Sequence, residues 1–203
     1  MNDTKKKILD ISLELFSQKG FSAVSIRDIC KQVEIKESSV YYHFKNKQAI
    51  LDELLSQFQD TAKGMMMRLD KELANSSAAP SANFYDKICN CFFENYFLDS
   101  FCNRVMRLLL IEQLCNDEVE KIYNRWMFQE PLSFQSKIFS MLMELGAIKK
   151  TDSEYLAIKY YAPIFFFVQR WLLSGELTEE RKKAFRTDAY KHIQTFFSEL
   201  EVA

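Results

Sequence analysis

The chain has 203 residues, a formal net charge of −1, and only four glycines and three prolines. A chain of this length can form a stable hydrophobic core without disulfides or structural metals. The small number of glycines and prolines argues against a fold built on many β-turns. The overall charge excludes a generic polycationic coat for nucleic acids. However, the first 50 residues carry nine Lys/Arg and six Asp/Glu, which leaves 18 and 22 for the rest, so a small basic head precedes an acidic body.

The cysteines and the N-terminus indicate a protein of a reducing compartment. Five cysteines without a CxxC pair favour reduced, mostly buried thiols over a disulfide framework: Cys30, Cys89, Cys91, Cys102 and Cys115. A redox or metal sensor at Cys89 and Cys91 stays open, although residues two apart on a helix point to different faces. The chain shows no signal-peptide core and no apolar run of bilayer length, so we expect a cytoplasmic protein with no membrane partner, metal or cofactor.

The first 47 residues show the periodicity of three helices. The first buries Ile8 and Phe16 and ends at Gly20, which suits a left-handed C-cap. The second begins after Ser25, with Asp28 placed to complete a capping box. The third turns Val40 and Phe44 inward after a short connection. Two helices separated by three or four residues, preceded by another, predict a helix-turn-helix.

The remaining chain also reads as helical. Asn46 looks like the N-cap of a long fourth helix, which ends in a loop at 75–81. Further helices are predicted at 82–99, 102–115, 117–145, 152–174 and 178–201. Pro131 and Pro163 lie inside two of these segments and predict a kink or local widening, and Thr151 with Glu154 suggests a capping box. The predicted fold class is therefore all-α, with about nine helices.

The order and spacing of several short stretches resemble a known DNA-binding domain. These are TKKKILDISLELF (4–16), KGF (19–21), VSIRDI (24–29) and SVYYHFKNK (39–47). Together they resemble the TetR (tetracycline repressor) family of transcriptional regulators. The resemblance implies a helix-turn-helix DNA-binding domain at 1–47 and a helical ligand-binding and dimerisation domain at 48–203. It also implies a homodimer on a near-palindromic double-stranded DNA operator, most commonly a repressor, released by a small-molecule effector of unidentified structure.

The expected DNA contacts lie on the exposed side of the third helix and around it. Val40 and Phe44 dock that helix, which leaves the side chains between them for base edges and phosphates. The assigned residues are Thr4, Lys5, Ser25, Arg27, Lys36, Glu37, Ser38, Ser39, Tyr41, Tyr42, His43, Lys45 and Lys47. Three positions depart from the family pattern: Cys30 replaces an alanine, Glu34 a glycine of the turn, and Ser38 a glycine or proline. Glu34 and Glu37 place negative charge near the expected DNA contacts, and this affects which operator sequence the chain can bind.

The C-terminal half offers candidates for a pocket and for a dimer interface. Methionine and aromatic side chains suit an apolar or aromatic effector, although such residues at helical spacing also form plain cores. The pocket candidates are Met65, Met66, Phe92, Tyr96, Trp126, Tyr160 and Phe165. The interface candidates, on the last two helices, are Ile164, Phe167, Val168, Trp171, Phe185, Ala189, Ile193, Phe196 and Phe197.

Two other classes of function compete with that of a DNA-binding regulator. An enzyme is not expected, because the chain has two histidines and none of the common phosphate-loop, nucleophile-elbow or zinc-protease motifs. A helical interaction protein that keeps the fold without binding an operator remains the alternative, with Glu34 and Glu37 in its favour. Operator binding must weaken as salt rises, which distinguishes the two.

Overall fold

A computed structural model describes residues 3–75 and 88–200, and within these two stretches all regular structure is helical. The first four helices are α1 (Asp3–Lys19), α2 (Ile26–Val33), α3 (Glu37–His43) and α4 (Lys47–Asn75). The next are α5 (88–97), α6 (Ser100–Glu112), α7 (Asp117–Asn124), α8 (Glu130–Glu144), α9 (Ser153–Phe167) and α10 (Glu179–Leu200). Three π-helical segments join or end these helices: Phe93–Phe97, Arg125–Gln129 and Val168–Leu173. The all-α prediction is confirmed.

The chain forms two compact units. The first contains the described residues of Met1–Lys63 together with Ser100–Tyr123, and the second those of Gly64–Asp99 and Asn124–Ala203. Residues 100–123 join the first unit because α6 packs along α1. The helix α4 is uninterrupted from Lys47 to Asn75, so its beginning belongs to the first unit and its end to the second.

The core of the first unit follows the predicted apolar stripes. Ile8 and Phe16 of α1, Ile29 of α2 and Val40 of α3 are fully buried, and Phe58 of α4 is buried with them. Gly20 ends α1 with a φ of +83°, in the left-handed region that glycine adopts at no steric cost. Asn46 caps α4, because its side-chain oxygen accepts the N–H of Ala49 at 2.9 Å. Both predicted helix ends are confirmed.

The second unit has an aromatic core. Phe93, Tyr96 and Phe97 of α5 are buried, and the rings of Phe93 and Phe185 meet edge-on with centroids 5.1 Å apart. Such edge-to-face pairs add about 0.5–1.5 kcal/mol beyond the burial of their area. Tyr160 of α9 and Phe196 of α10 meet in the same way, with centroids 5.2 Å apart, so ring packing joins α5, α9 and α10.

Pro131 explains a π-helical segment that the sequence indicated only as a kink or break. Glu130 donates its N–H to Arg125, one residue beyond the α-helical pattern, and Pro131 has no N–H to donate. The carbonyls of Trp126 and Met127 instead accept the hydroxyls of Tyr96 at 3.0 Å and Tyr161 at 2.8 Å. Residues 117–144 thus stay one helical run. Pro163 lies inside α9, whereas the π-helical segment Val168–Leu173 begins five residues after it, so this segment is not the local widening predicted at Pro163.

Some sequence predictions need correction or fall outside the described residues. The N-cap of α9 is Asp152, whose carboxylate accepts the N–H of Glu154 and Tyr155, so the capping box expected from Thr151 and Glu154 is wrong. The predicted loop beyond residue 75, the start of the 82–99 helix and Glu201 lie outside the described residues. In the described stretches, no helix combines the length and the apolarity needed to cross a membrane.

Candidate nucleic-acid interface

Local hydrogen bonds fix the backbone of the α2–α3 pair. Ser25 and Asp28 form the predicted capping box: Ser25 Oγ accepts the Asp28 N–H at 3.2 Å, and the Asp28 carboxylate accepts the Ser25 N–H at 2.8 Å. The bonds from Ser25 hold the pKa of the Asp28 carboxyl below its ordinary value. At the other end of α2, Lys7 donates to the carbonyl of Val33. Glu34 then makes the turn with a φ of +63°, in the position where the family pattern has glycine.

The third helix exposes one face and buries the other. Val40 and Phe44 are buried, whereas Tyr41 is 51% and Tyr42 82% exposed. Ser38 also faces solvent, and the Tyr42 and His43 rings stack edge-on with centroids 4.9 Å apart. Neighbouring aromatic side chains that are exposed together offer an apolar surface to a binding partner. This arrangement leaves the exposed face of α3 available to contact base edges and phosphates.

An ion pair bridges the two helices of the motif at this face. Arg27 Nε of α2 lies 3.0 Å from Glu37 Oε1 of α3, and the two side chains are 86% and 45% exposed. Both residues are expected DNA contacts. The structure places them against each other at the start of α3.

Two of the predicted contact lysines are held by the protein itself. The Lys47 ammonium donates to the carbonyls of Phe21 at 2.7 Å and Val24 at 2.6 Å, and lies 4.2 Å from the centroid of the Phe21 ring. Lys5 pairs with Glu53 of α4 at 2.7 Å. These bonds use two of the three N–H groups of the Lys47 ammonium, so Lys47 has a structural role that sequence patterning did not indicate.

The other predicted contacts lie around the motif in varied settings. Lys36 and Lys45 are exposed, Thr4 and Ser39 are half-buried, and Ser25 serves as the cap described above. Among the described residues, no group of three or more His, Cys, Asp or Glu is placed to hold a metal ion.

Glu112, near the end of α6, is a positioning residue of the first unit that sequence analysis missed. Its side chain is buried, and its carboxylate accepts the N–H of Phe21 at 2.8 Å. A Cβ at Gly20 would lie 2.8 Å from the same oxygen, so the close approach requires glycine there. Together, Glu112 and Lys47 bind the N–H and the carbonyl of Phe21, in the loop before the helix-turn-helix. The sequence signal that could have indicated this role is that Glu112, an acidic residue, lies four residues after Leu108 on the apolar face of α6.

The second unit encloses a small apolar cavity. Its volume is about 20 Å³, room for about one water molecule and far below the size of a drug-like site. Of the seven pocket candidates, Met66, Phe92 and Tyr160 line this cavity. Met65, Tyr96 and Trp126 are buried elsewhere in the core, and Phe165 packs on Phe128 with centroids 4.8 Å apart. Cys89 Sγ and the Tyr160 hydroxyl lie 3.5 Å apart beside the cavity.

An open groove of about 570 Å³ runs along α8 and α9. Serine hydroxyls and charged side chains line much of it, including Ser133, Ser136, Ser140, Lys137, Glu144 and Glu154. Sequence analysis did not indicate this groove, because serines spaced three and four apart on a helix are typical of a solvated face.

Most of the dimer-interface candidates lie inside the single chain. Ile164 and Val168 of the α9 run, and Phe185, Ala189, Ile193 and Phe196 of α10, are buried. Phe167, Trp171 and Phe197 are half-buried. On α9 an apolar stripe remains exposed: Tyr155 is 61%, Ile158 48% and Phe166 56% exposed, with exposed Ala162 between them.

The fold and the exposed α3 together define a class: an all-helical regulator that carries an N-terminal helix-turn-helix for DNA. The family model described as "Bacterial regulatory proteins, tetR family" matches residues 8–54. The N-terminal domain of this chain is therefore similar to that of the TetR-family transcriptional regulators, and the similarity to such regulators extends along most of the chain.

Relatives along nearly the whole chain support this assignment. The chain is 27% identical over 201 residues to the biofilm operon icaADBC HTH-type negative transcriptional regulator IcaR of Staphylococcus aureus, covering 95% of this chain and 98% of IcaR. The ketosteroid transcriptional regulator KstR2 of Mycobacterium tuberculosis shares the fold with a TM-score of 0.71 at 17% identity, covering 100% and 97%. The triclosan complex of SmeT, the repressor of the Stenotrophomonas maltophilia multidrug efflux pump SmeDEF, gives 0.66 at 14%, covering 98% and 92%.

Proposed function

We propose that this chain represses transcription by binding, as a homodimer, to a near-palindromic operator, with the exposed face of α3 in the major groove. The observation that carries the proposal is the pair of exposed tyrosines on α3 beside a docked Val40. Tyr41 and Tyr42 can pack their rings on thymine methyls or sugars and donate their hydroxyls to phosphates. Lys36 and Lys45, both exposed, supply cations for the phosphate backbone.

The DNA-binding test uses a variant that spares the fold. Tyr42→Ala removes an exposed ring, and we expect at least a tenfold loss of affinity in fluorescence anisotropy against duplexes tiled across the DNA beside the gene. Leu114→Ala, which removes an equally exposed apolar side chain away from α3, is the matched control and should bind as wild type. Wild-type binding must weaken steeply from 50 to 200 mM salt. Salt-insensitive or absent binding to every duplex would favour the helical interaction protein instead.

For the dimer, we propose that the exposed stripe of α9 is the contact between two copies. Tyr155, Ile158, Ala162 and Phe166 recur at spacings of three and four, which is the pattern of a seam between helices. The buried candidates on α10 then serve as the core that supports this seam. A symmetric dimer presents two copies of α3 about 34–36 Å apart, one turn of DNA.

Sedimentation at micromolar concentration tests the dimer. We expect a dimer for wild type and a monomer for Phe166→Glu, because a carboxylate in the seam is buried without a partner. Lys183→Glu, on an exposed position of α10, is the control and should stay dimeric. A monomeric wild type, or a dimeric Phe166→Glu variant, contradicts this interface.

We further propose that the effector is a flat apolar or aromatic molecule that occupies and widens the small cavity of the second unit. The supporting observations are its walls, which include Met66, Phe92 and Tyr160, and the contact between the Cys89 thiol and the Tyr160 hydroxyl. Because the cavity is nearly closed, the ligand must select a minor, open state. It then weakens operator binding by favouring a different arrangement of α4, and such coupling is typically about 1–3 kcal/mol.

Triclosan, the ligand in the SmeT complex, is a suitable first probe. We expect it to raise the melting temperature of this protein and to weaken its DNA binding. Cys89→Met, which fills the cavity, should abolish both effects, whereas Ser140→Leu in the open groove should not. If Ser140→Leu blocks the probe and Cys89→Met does not, the open groove is the site. If triclosan has no effect on wild type, this effector class is wrong.

A further inference from the structure

The Arg27–Glu37 ion pair lies at the position where helix-turn-helix proteins have side chains that contact bases. Glu37 is the first residue of α3, and Arg27 is the second residue of α2. In helix-turn-helix proteins, residues at the start of the recognition helix contact base edges. Arg27 is 86% exposed, so its guanidinium is held by this single carboxylate and not by burial.

The geometry of the pair leaves specific atoms for another partner. Arg27 binds Glu37 Oε1 through Nε, at 3.0 Å. Its two terminal nitrogens, Nη1 and Nη2, form the planar fork that matches two neighbouring acceptors. Glu37 keeps its second oxygen, Oε2, which can accept one further hydrogen bond.

We propose that Arg27 and Glu37 act as one unit that reads a guanine and a cytosine, in the same or in neighbouring base pairs of each operator half-site. In this unit, Nη1 and Nη2 of Arg27 donate to guanine O6 and N7, and Glu37 Oε2 accepts the cytosine N4 amino group. This proposal rests on the proposed function, because it requires the exposed face of α3 to enter the major groove.

The chemistry of the base edges supports this assignment. In the major groove, guanine offers two acceptors, and cytosine offers an amino donor. An A·T pair offers the adenine amino donor but presents a thymine oxygen and methyl group elsewhere, so it cannot satisfy the arginine fork and the carboxylate together. Tyr41, four residues after Glu37 on the same exposed face, is placed for the next base pairs.

The pair also explains how a carboxylate is tolerated beside DNA. Phosphates repel Glu37, and Arg27 compensates this charge within the protein. At a sequence that places no amino group opposite Glu37, nothing replaces the water that Glu37 loses on binding, so the carboxylate penalises that sequence. Glu37 thus costs affinity everywhere except at its matching bases, which makes it a specificity-determining residue.

Selection from a duplex library with a randomised core tests the proposal, with wild type, Arg27→Ala, Glu37→Ala and Glu37→Gln run in parallel. We expect the wild-type motif to contain a guanine–cytosine position that both alanine variants lose. At that position, discrimination in anisotropy titrations should fall by about 5- to 150-fold, the usual range for a bidentate contact. Glu37→Gln should lose cytosine selectivity while binding random DNA more tightly than wild type.

Glu34→Gln is the matched control for charge. Glu34 lies three residues from Glu37, is exposed, and forms no ion pair among the described residues. Removing its charge should raise affinity for all sequences alike and leave the motif unchanged. If Glu37→Ala selects the wild-type motif, or if the Arg27→Ala and Glu37→Ala effects simply add, the pair does not read bases. If wild type selects no motif at all, the operator-binding proposal itself fails, which is a different result.

Discussion

The two compact units of this chain are stabilised by different kinds of interaction. In the first unit, charged side chains bind backbone groups of the loops: Lys47 donates to Phe21 and Val24, Glu112 accepts from Phe21, and Lys7 donates to Val33. In the second unit, rings pack on rings, as Phe93 does on Phe185 and Tyr160 on Phe196. Tyrosine hydroxyls there bind the carbonyls of Trp126 and Met127, in the π-helical segment before Pro131.

The difference suits two different tasks. A hydrogen bond from a charged group fixes direction as well as distance, so the first unit presents α3 in one geometry. Apolar packing is less directional, and π-helical segments are frequent at functional sites. A DNA reader needs the first property, and a sensor of small molecules needs the second.

The largest effect on stability is expected from removing an aromatic ring from the core of the second unit. Phe185 is fully buried, and its ring lies 5.1 Å from that of Phe93 and 6.2 Å from that of Phe97. Phe185→Ala should lower the free energy of unfolding by about 3–5 kcal/mol in urea titrations. Phe166→Ala, at an exposed ring, should change it by less than about 0.5 kcal/mol when the proteins are compared as monomers. Equal losses would show that the body does not depend on ring packing.

The next effect tests whether Lys47 supports the loop of the first unit or only binds phosphate. Lys47→Met removes an ammonium that donates to two carbonyls, and we expect a loss of about 1.5–3 kcal/mol in stability. Lys45→Met, at an exposed lysine two residues away, should leave stability within about 0.5 kcal/mol and reduce only DNA affinity. Should the two variants unfold at the same urea concentration as wild type, Lys47 is a phosphate contact and not a structural lysine.

A smaller loss is expected where a tyrosine hydroxyl supports the π-helical segment. Tyr161→Phe leaves the Met127 carbonyl without its donor, and this should cost about 1–3 kcal/mol. Adding Pro131→Ala supplies a backbone N–H for that carbonyl, so the double variant should recover part of the loss. Tyr155→Phe, at an exposed ring, is the control. A double variant less stable than Tyr161→Phe alone would mean that Pro131 is required for the packing itself.

The comparison also shows which features the sequence predicts and which it does not. Helix ends at Gly20, Ser25 and Asn46 were predictable because each depends on a few adjacent residues. The exposed tyrosines of α3 followed from the periodicity of Val40 and Phe44. Contacts between distant residues were not predictable: Glu112 and Phe21 are 91 residues apart, and nothing local to either indicates the other.

The body was harder to predict for a related reason. Apolar residues at helical spacing do not reveal whether they face the chain's own core or a partner. Phe185 and Val168 are predicted at a dimer interface but are fully buried within the chain. Tyr155 and Ile158 are not among the predicted interface residues, yet they are exposed. A hydrophobic stripe shows which face of a helix is buried, but it does not show whether the same chain or a partner chain buries that face.

A pH titration separates the contribution of ionic contacts to the stability of the second unit from the contribution of ring packing. Arg186 binds both oxygens of Glu94, at 2.7 and 2.8 Å, and this lowers the pKa of the Glu94 carboxyl below its ordinary value of 4.5. The stabilisation is therefore present above pH 4.5 and is lost as the pH falls through the lowered pKa. Glu94→Gln should cost about 0.5–1 kcal/mol at pH 7 and nothing in strong acid. Glu176→Gln, at an exposed site, should cost nothing at either pH.

The smallest effect concerns the turn of the helix-turn-helix, where this chain departs from its family. Glu34 adopts a φ of +63° and ψ of +43°, a conformation that is strained for a residue with a Cβ. Glu34→Gly relieves this strain but also gives the unfolded chain more freedom, so the net gain in stability should be only about 0.5 kcal/mol. Glu34→Ala keeps the strain and the Cβ while removing the charge, and its stability should stay at or below that of wild type. Both variants remove the same negative charge, so both should bind the operator somewhat more tightly than wild type. If Glu34→Gly gains stability but binds no more tightly than Glu34→Ala, the turn is already held in its binding geometry.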